Sequence, residues 1–414
     1  MAKSSNNPIS ESSSVLFVTF SRWANGRRTP TNGSLDPLRD YLVPKIKRLV
    51  IIDQPHPGSD RVMPVIEEFD KHNKNPNVNK SSRFLYFLEP LLRKNNVSKT
   101  QPIFKIRDFL SIIDWAFRDN TRFDYCICLE SINTIAAIML RKLGRVKKVV
   151  YYVSDYSPNR YPSKWFNSLY LYLDRFCVTH ADITWDVSKA MQKARIEAGL
   201  SPVTSSRVVH VPNGLYPAQI RFSPVAKINK HALIYMGTVG ADNGPDIAIK
   251  ALEIILKKFP DTKLHIIGGT KEDLAWLKKL VQKIKLEDHV VFHGFIESGV
   301  EMSKVIRSCM LGLAPYRNIP GSIRLYADAG KIRAYCASGL PVVSSQVPPL
   351  GLEVAKRGGA LIAKDNAASF AKSIEDIFKD SNLYSELRKN AILFAKYSTW
   401  ENTFSNAFEQ MTKV

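Results

Sequence analysis

The chain has 414 residues, 45% of them hydrophobic and 23% charged, with a formal net charge of +21. That length exceeds one ordinary core and suggests two domains of about 200 residues each, with the composition of a globular rather than a disordered or fibrous protein. Its apolar runs fall short of the roughly 20 residues that cross a bilayer. The absence of GxGxxG, P-loop, GxSxG, HExxH and zinc-spaced cysteine patterns argues against a standard dinucleotide site, ATP hydrolysis, serine hydrolysis and zinc chemistry.

The opening MAKSSNNPISESSS is polar, lacks the apolar stretch of a signal peptide, and reads as a disordered lead-in over residues 1–13. Short β-branched segments then alternate with helix-period segments, the pattern of parallel βα units. In the first half the predicted strands are 14–20, 48–54, 83–89, 125–131, 147–155, 182–188 and 207–213, with helices such as 104–118 and 132–143 between them. Continuous apolar strands of this kind are covered on both faces. The stretch 214–230 carries two prolines and little periodicity, and reads as a linker. The pattern restarts with strands at 231–237, 263–269, 289–295, 310–316, 340–346 and 359–364. Helices are expected at 245–258, 271–285, 299–308, 330–338, 366–379 and 382–396, and the amphipathic piece 398–411 ends the pattern. The expected fold is therefore α/β, two doubly wound Rossmann-like domains facing across a cleft. They divide as 14–225 and 226–396, followed by a last helical piece over 397–414.

The five cysteines are Cys126, Cys128, Cys177, Cys309 and Cys336, an odd number in apolar surroundings. Core packing in a reducing cytosol fits them best. Basic charge is concentrated early: residues 1–225 hold 33 Lys and Arg against 19 Asp and Glu. An excess of this kind seeks an anionic partner such as a phosphorylated ligand, a nucleic acid or an anionic membrane. No RGG tract, zinc finger or aromatic RNA-binding motif supports nucleic acid. The segments SRFLYFLEPLLRK (82–94) and KWFNSLYLYLDRF (164–176) mix aromatics, leucines and flanking cations as interfacial segments do, and equally fit a strand and a core helix.

Ligands of doubly wound sheets bind beyond the carboxyl ends of the strands, so those ends carry the candidate site. The turn after 231–237 holds Gly237, Thr238 and Gly240, small enough for a ligand to approach the backbone, or simply a tight turn. The next strand ends in Gly268-Gly269. Beyond it, YADAGKIRAYCASGLPVV (326–343) sets Lys331 and Arg333 in the first turn of a helix, where the helix dipole disfavours cations. An incoming diphosphate would satisfy both dipole and lysine, and Arg324 lies just upstream. In the first half, Asp155 ends a central strand and faces the expected cleft, as a base or orienting group for a hydroxyl, or as a turn residue of DYSP. Glu130 ends the neighbouring strand and either binds a ligand or starts the helix; Arg160 is close enough in sequence to pair with Asp155.

The blocks YMGTVGADNGPDIAIKAL, LHIIGG, VVFHGFI and DAGKIRAYCASGLPVV resemble the donor domain of GT-B glycosyltransferases, particularly the retaining family 4 type. VVYYVSDYSPNRY and ADITWDVSKAM are similar to its acceptor domain, and YSTWENTFSNAFEQM to its returning helix. The resemblance covers about residues 14–411. It implies that Gly237, Thr238 and Gly268 line the donor diphosphate, that Lys331 binds it, and that Phe295 and Ile296 flank the base. Two positions depart: the acid that would hold the ribose is Ala334, and the cation of the first glycine loop is replaced by Asn243, leaving Arg324 to substitute. The implied activity is transfer of a sugar from a nucleotide-diphosphate donor to an acceptor hydroxyl of a saccharide or lipid-linked saccharide, in cell-surface polysaccharide or glycolipid synthesis. No metal or other cofactor is expected, since no DxD motif is present. Glu130 and Arg160 fall on the acceptor side, and the expected location is the cytosol, peripheral on the inner face of the membrane. The alternatives are a non-catalytic GT-B-like binding or scaffold protein, favoured by Ala334, and a sugar-nucleotide 2-epimerase, whose acidic and histidine residues are not evident.

Overall fold

A computed structural model describes residues 9–29, 33–70, 77–79, 83–94, 102–119 and 122–411. The chain divides into two compact units, Met1–Asn213 with Thr403–Val414, and Gly214–Asn402. The division falls at the start of the expected linker, whose residues 214–230 pack with the second unit. Leu215 bridges Thr399, the Arg221 amide donates to the Ala337 carbonyl, and Arg388 donates to Ser223 and Gly339 carbonyls. Most of the expected lead-in lies outside the described residues; Ser10–Ser13 form a hydrogen-bonded turn and Ile9 is buried.

The first unit is built on β1 (Ser14–Ala24), β2 (Arg27–Thr29), β3 (Arg48–Pro55), β4 (Val65–Asp70), β5 (Asn77–Asn79), β6 (Phe123–Leu129), β7 (Val146–Val153), β8 (Ile183–Asp186) and β9 (Arg207–His210). Its sheet runs β5-β4-β3-β1-β6-β7-β8-β9, parallel from β3 to β9, with β2 antiparallel on β1. The sequence did not announce the antiparallel margin β4–β5. Its Val65–Asp70 (VIEEFD) carries acids among its apolar residues because a strand in an antiparallel margin needs only one dry face. The expected strand 83–89 is instead a 3₁₀ segment, Arg83–Leu88, running into a helix, Glu89–Lys94. Leu85, Leu88 and Leu92 point to Val62, Met63 and Phe104, a spacing of three and four that fits helical turns and not a strand.

The helices on one face, 83–94, 102–118, 131–142 and 164–180, pack side by side in that order. Elsewhere in the unit, Phe404 and Phe408 of the last helix (Trp400–Met411) pack on Tyr41 and Trp185, with the Tyr41 and Phe408 rings stacked 5.7 Å apart. Arg195 is fully buried and ties Asp174 to Asp186, each at 2.7 Å. All five cysteines are free and buried.

The second unit is wholly parallel: β10 (Ala232–Met236), β11 (Lys263–Ile267), β12 (Val290–Gly294), β13 (Leu311–Ala314), β14 (Val342–Ser345) and β15 (Ala360–Ala363), in the order β12-β11-β10-β13-β14-β15. Two cores lie on it. One is filled by Leu252, Leu277 and Phe370, the other by Ile332, Leu350 and Phe394, so helices cover both faces. The strand order reverses beside β10, between β11 and β13, which is where such sheets open for a ligand.

Candidate functional site

β10 turns out of the sheet at Gly237, and β11 at Gly268. Both backbones adopt positive φ, +124° and +115°. The Gly237 amide donates to the Ile267 carbonyl at 2.9 Å and the Gly268 amide to the Gly294 carbonyl at 2.7 Å, which locks the three strand ends together. A Cβ on Gly268 would run into the Gly237 carbonyl oxygen, and one on Gly237 would sit 3.2 Å from Lys331 Cε. Only glycine fits this floor.

Lys331 closes the floor from the helix Gly330–Ala337. Its residue is 7% exposed and its Nζ has no hydrogen-bond partner. The ammonium sits 4.0 Å from the centre of the Tyr235 ring and 4.4 Å from that of Tyr316. Burial, and then the Arg324 guanidinium, hold it well below the ordinary lysine range, opposed only by Asp242. The helix is fixed by Tyr335, whose hydroxyl accepts from the Met236 amide at 2.7 Å and donates to the Leu313 carbonyl at 3.2 Å. Its cap residue, Ala329, supplies no side-chain hydrogen bond to the first turn. Arg333, the other cation of that turn, is neutralised: Asp328 holds it at 3.0 Å in a buried pair. The apparent conflict of charge with dipole therefore concerns Lys331 alone.

Around this centre the other expected residues fall as follows. The Thr238 carbonyl accepts from the Tyr235 hydroxyl at 2.5 Å, while the residue itself is exposed. Arg324 Nε is buried without a hydrogen bond, 3.6 Å from Asp242 Oδ2. Phe295 is 74% exposed beyond β12, whereas Ile296 leans on the second core. Ala334 is half-buried one turn along from Lys331 and offers no acceptor. Arg317 clamps Asp246 with two bonds of 2.9 and 2.7 Å and donates to the Ala241 carbonyl, which stiffens the glycine loop. Burying an unpaired amino group is unfavourable when it is charged, and an uncapped helix start exposes amide hydrogens; both features suit an anion.

In the first unit, Asp155 follows β7 and its Oδ2 accepts from Arg160 at 2.7 Å, with both side chains partly exposed. Glu130 follows β6 and pairs with Lys105 from the helix Pro102–Arg118. Burial opposes ionisation of Glu130, but Lys105, then Arg160 and His56, hold its carboxyl below the usual range. The two carboxylates thus share one electrostatic neighbourhood. Glu130 also has φ +69° and ψ 152°, a conformation nearly confined to glycine. Its carbonyl is pinned by the Thr134 amide and hydroxyl, and that of Leu129 by Asn133. Among the described residues no group of three or more His, Cys, Asp or Glu is placed to hold a metal ion.

Sequence reasoning missed the two tyrosines over Lys331, and missed Lys105, which is 25 residues from its partner Glu130. The Asp328–Arg333 pair was visible as a five-residue spacing within the quoted block.

Residues 218–394 match the family model described as Glycosyl transferases group 1. The matched residues lie within the second unit. Among curated relatives, an uncharacterized glycosyltransferase of Haemophilus influenzae is 24% identical over 187 residues, 45% of this chain and 49% of that protein. A D-inositol 3-phosphate glycosyltransferase of an Arthrobacter species is 25% identical over 187 residues, 44% of this chain and 42% of that one. The match spans less than half the length of either relative. Over 97% of the chain, the fold is shared with sucrose-phosphate synthase of Thermosynechococcus elongatus (98% of that chain, TM-score 0.67, 14% identity). It is shared over the same fraction with HepE of Anabaena solved with UDP (100% of that chain, TM-score 0.66, 16% identity). The fold class is the one expected, two Rossmann-like α/β units of the GT-B type.

Proposed function

We propose that the protein is a glycosyltransferase that moves a sugar from a nucleoside-diphosphate donor to an acceptor hydroxyl. The observation that carries this reading is Lys331, whose buried amino group has no hydrogen-bond partner beneath Gly237 at the start of a helix. A diphosphate laid on that floor meets Lys331, the first-turn amides of the helix, and Arg324 once it leaves Asp242. These fixed positive groups stabilise the charge that grows on the departing diphosphate. No metal or other cofactor takes part in this proposal. Phe295 and Ile296 flank the base, and Gly237, Thr238 and Gly268 line the phosphates. Asp155, held by Arg160, orients the acceptor hydroxyl or takes its proton, and Glu130 binds a further acceptor group. Homologous folds solved with UDP and with UDP-glucose support a nucleotide-sugar donor. The acceptor is a saccharide, free or carried on a lipid, in surface polysaccharide or glycolipid synthesis, and the location is cytosolic and peripheral on the membrane. Among the described residues no helix is long and apolar enough to cross a bilayer.

The test is a panel of nucleotide sugars with product detection by mass spectrometry. Transfer or hydrolysis from one donor is expected; none from any donor overturns the reading. Ala334 favours a second reading, a binding protein without turnover, because it leaves the ribose without an acceptor beside Lys331. Calorimetry decides between the two: nucleotide binding in a preparation with no turnover on any donor favours the second.

A further inference from the structure

The helix Lys164–His180 is amphipathic in the reverse of the usual sense. Its buried residues are Asp174, Cys177 and Val178. Asp174 accepts from the Tyr151 hydroxyl at 2.9 Å and from Arg195 at 2.7 Å, and the Cys177 thiol donates to the Ser131 carbonyl. The helix is thus anchored largely through polar groups. Trp165, Leu169, Tyr172 and Phe176 recur at spacings of four, three and four, which makes one stripe, and Asp174 lies about 180° away from it. Trp165 is 73% and Tyr172 66% exposed, Leu169 is exposed, and Phe176 is half-covered. A helix in water ordinarily turns such residues inward.

The stripe has neighbours of the same kind. Segment 83–94 buries Leu85, Leu88 and Leu92 but leaves Tyr86, Phe87 and Leu91 outside, and Ile106 of the next helix is half exposed. The two sequence segments that fitted both a core and an interface are therefore divided by the fold: a few residues go to the core, and the aromatic remainder faces out. Arg93, Lys94, Lys164 and Arg175 are exposed along the same segments. The stripe also continues into the Asp155 loop: Tyr161 meets Phe166 at 4.5 Å and Tyr170 at 5.6 Å, and Arg160 lies over the Tyr161 and Tyr170 rings.

We infer that this helical face of the first unit docks on an anionic lipid surface, with Trp165, Leu169 and Tyr172 as its inserted anchors. Trp and Tyr suit the boundary between acyl chains and headgroups, because one end of each ring system is apolar and the other polar. The cations along the stripe, and the 14-charge excess of residues 1–225, meet anionic headgroups. A second copy of the chain is disfavoured by the same charge, since two such faces would bring like-charged rims together. The inference deepens the proposed function by naming the surface that brings a lipid-carried acceptor to Asp155, yet docking requires neither donor nor acceptor.

The full chain is sedimented with vesicles of phosphatidylcholine alone and with phosphatidylglycerol added. Binding is expected to the anionic vesicles at low salt and to weaken at about 0.5 M salt. Trp165→Ala, Leu169→Ala and Tyr172→Ala combined should lower it about tenfold or more. Val203→Ala, which alters another exposed residue of the unit (92% exposed), should leave it unchanged. Independently, tryptophan emission of the native protein should shift to the blue with anionic vesicles, and Trp165→Phe should remove that shift. No preference for anionic vesicles at low salt overturns the inference, as does full binding by the triple variant. A concentration-dependent dimer in sedimentation velocity that the triple variant abolishes assigns the face to a second copy and also overturns it. Vesicle binding without turnover on any donor would sink the transferase reading and leave this one standing.

Discussion

At the carboxyl ends of the first unit's strands each charged side chain has an opposite beside it: Asp155 has Arg160, and Glu130 has Lys105. At the matching ends in the second unit, Lys331 has no hydrogen-bond partner: two aromatic rings lie against it, and the more distant Asp242 is shared with a second cation, Arg324. Half-exposed ion pairs contribute at most about 1 kcal/mol and keep carboxylates oriented in water. A buried cation without a partner is a standing cost that only a ligand removes. The first arrangement suits a neutral, hydroxyl-bearing ligand that borrows an oriented carboxylate. The second suits an anion that brings its own charge. Substitutions at the two ends should therefore differ in kind as well as in size.

The largest effect is expected at Asp155. Asp155→Asn keeps the shape and removes the basic oxygen, so turnover should fall about 10²–10⁴-fold. Nucleotide affinity by calorimetry should stay as it was, and stability should change by less than about 1 kcal/mol, the pair with Arg160 being part-exposed. A loss of nucleotide affinity would collapse the distinction between the two ends. Next comes Lys331→Met, which should cost nucleoside-diphosphate affinity about 10–100-fold, the worth of a charged hydrogen bond. The same substitution should raise the melting temperature of the unliganded protein, because it removes an unpaired buried amine. Tighter folding with weaker binding is the signature of a side chain kept for its ligand; lowered stability would show that Lys331 is structural.

The two ends were legible in the sequence to a similar degree. Spacing and glycine content located Gly237, Gly268 and Lys331, since close backbone approach and an N-terminal helix position are written in local residues. The strand-ending carboxylates Asp155 and Glu130 were legible for the same reason. Local pattern did not contain what neutralises each charge. Lys105 reaches Glu130 across 25 positions, and Tyr316 reaches Lys331 from a loop after β13. The fold behaved likewise: the doubly wound parallel strands followed from apolar runs, whereas β4 and β5 pair antiparallel at an edge, where half-polar segments suffice. Residues 83–89 read as a strand because their apolar run is continuous, and only contact with Val62 and Phe104 shows which residues face the core.

Proton linkage sharpens the contrast further. With Lys331 held below its ordinary 10.5, the folded chain binds fewer protons than the unfolded one in the range between the two values. Unliganded stability from this group therefore rises with pH toward 10.5 and declines below it. An anion restores the proton, so nucleotide affinity should move the other way and weaken as pH rises. Denaturation and calorimetry across that range should show opposed slopes, both absent in Lys331→Met. Parallel slopes would mean that the ammonium is charged before the ligand arrives. Arg324→Gln should act less strongly, lowering nucleotide affinity about fivefold, as a part-exposed cation does. Unchanged affinity would remove Arg324 from the site.

The smallest effect is expected at Glu130 and concerns stability. Its backbone sits at φ +69° and ψ 152°, where only glycine is at ease, and is held there by hydrogen bonds from Asn133 and Thr134 around it. Such conformations cost about 1–3 kcal/mol and persist where the surroundings over-determine them. Glu130→Gly relieves that cost and forfeits the pair with Lys105, worth less than about 1 kcal/mol at this exposure. The balance should raise stability by about 1 kcal/mol in a denaturant titration while acceptor turnover falls. Glu130→Gln keeps the backbone cost and should lower turnover without that gain. If Glu130→Gly destabilises the protein, the backbone is not strained. If it leaves turnover intact, the carboxylate is a helix-start residue and nothing more, and the acceptor end rests on Asp155 alone.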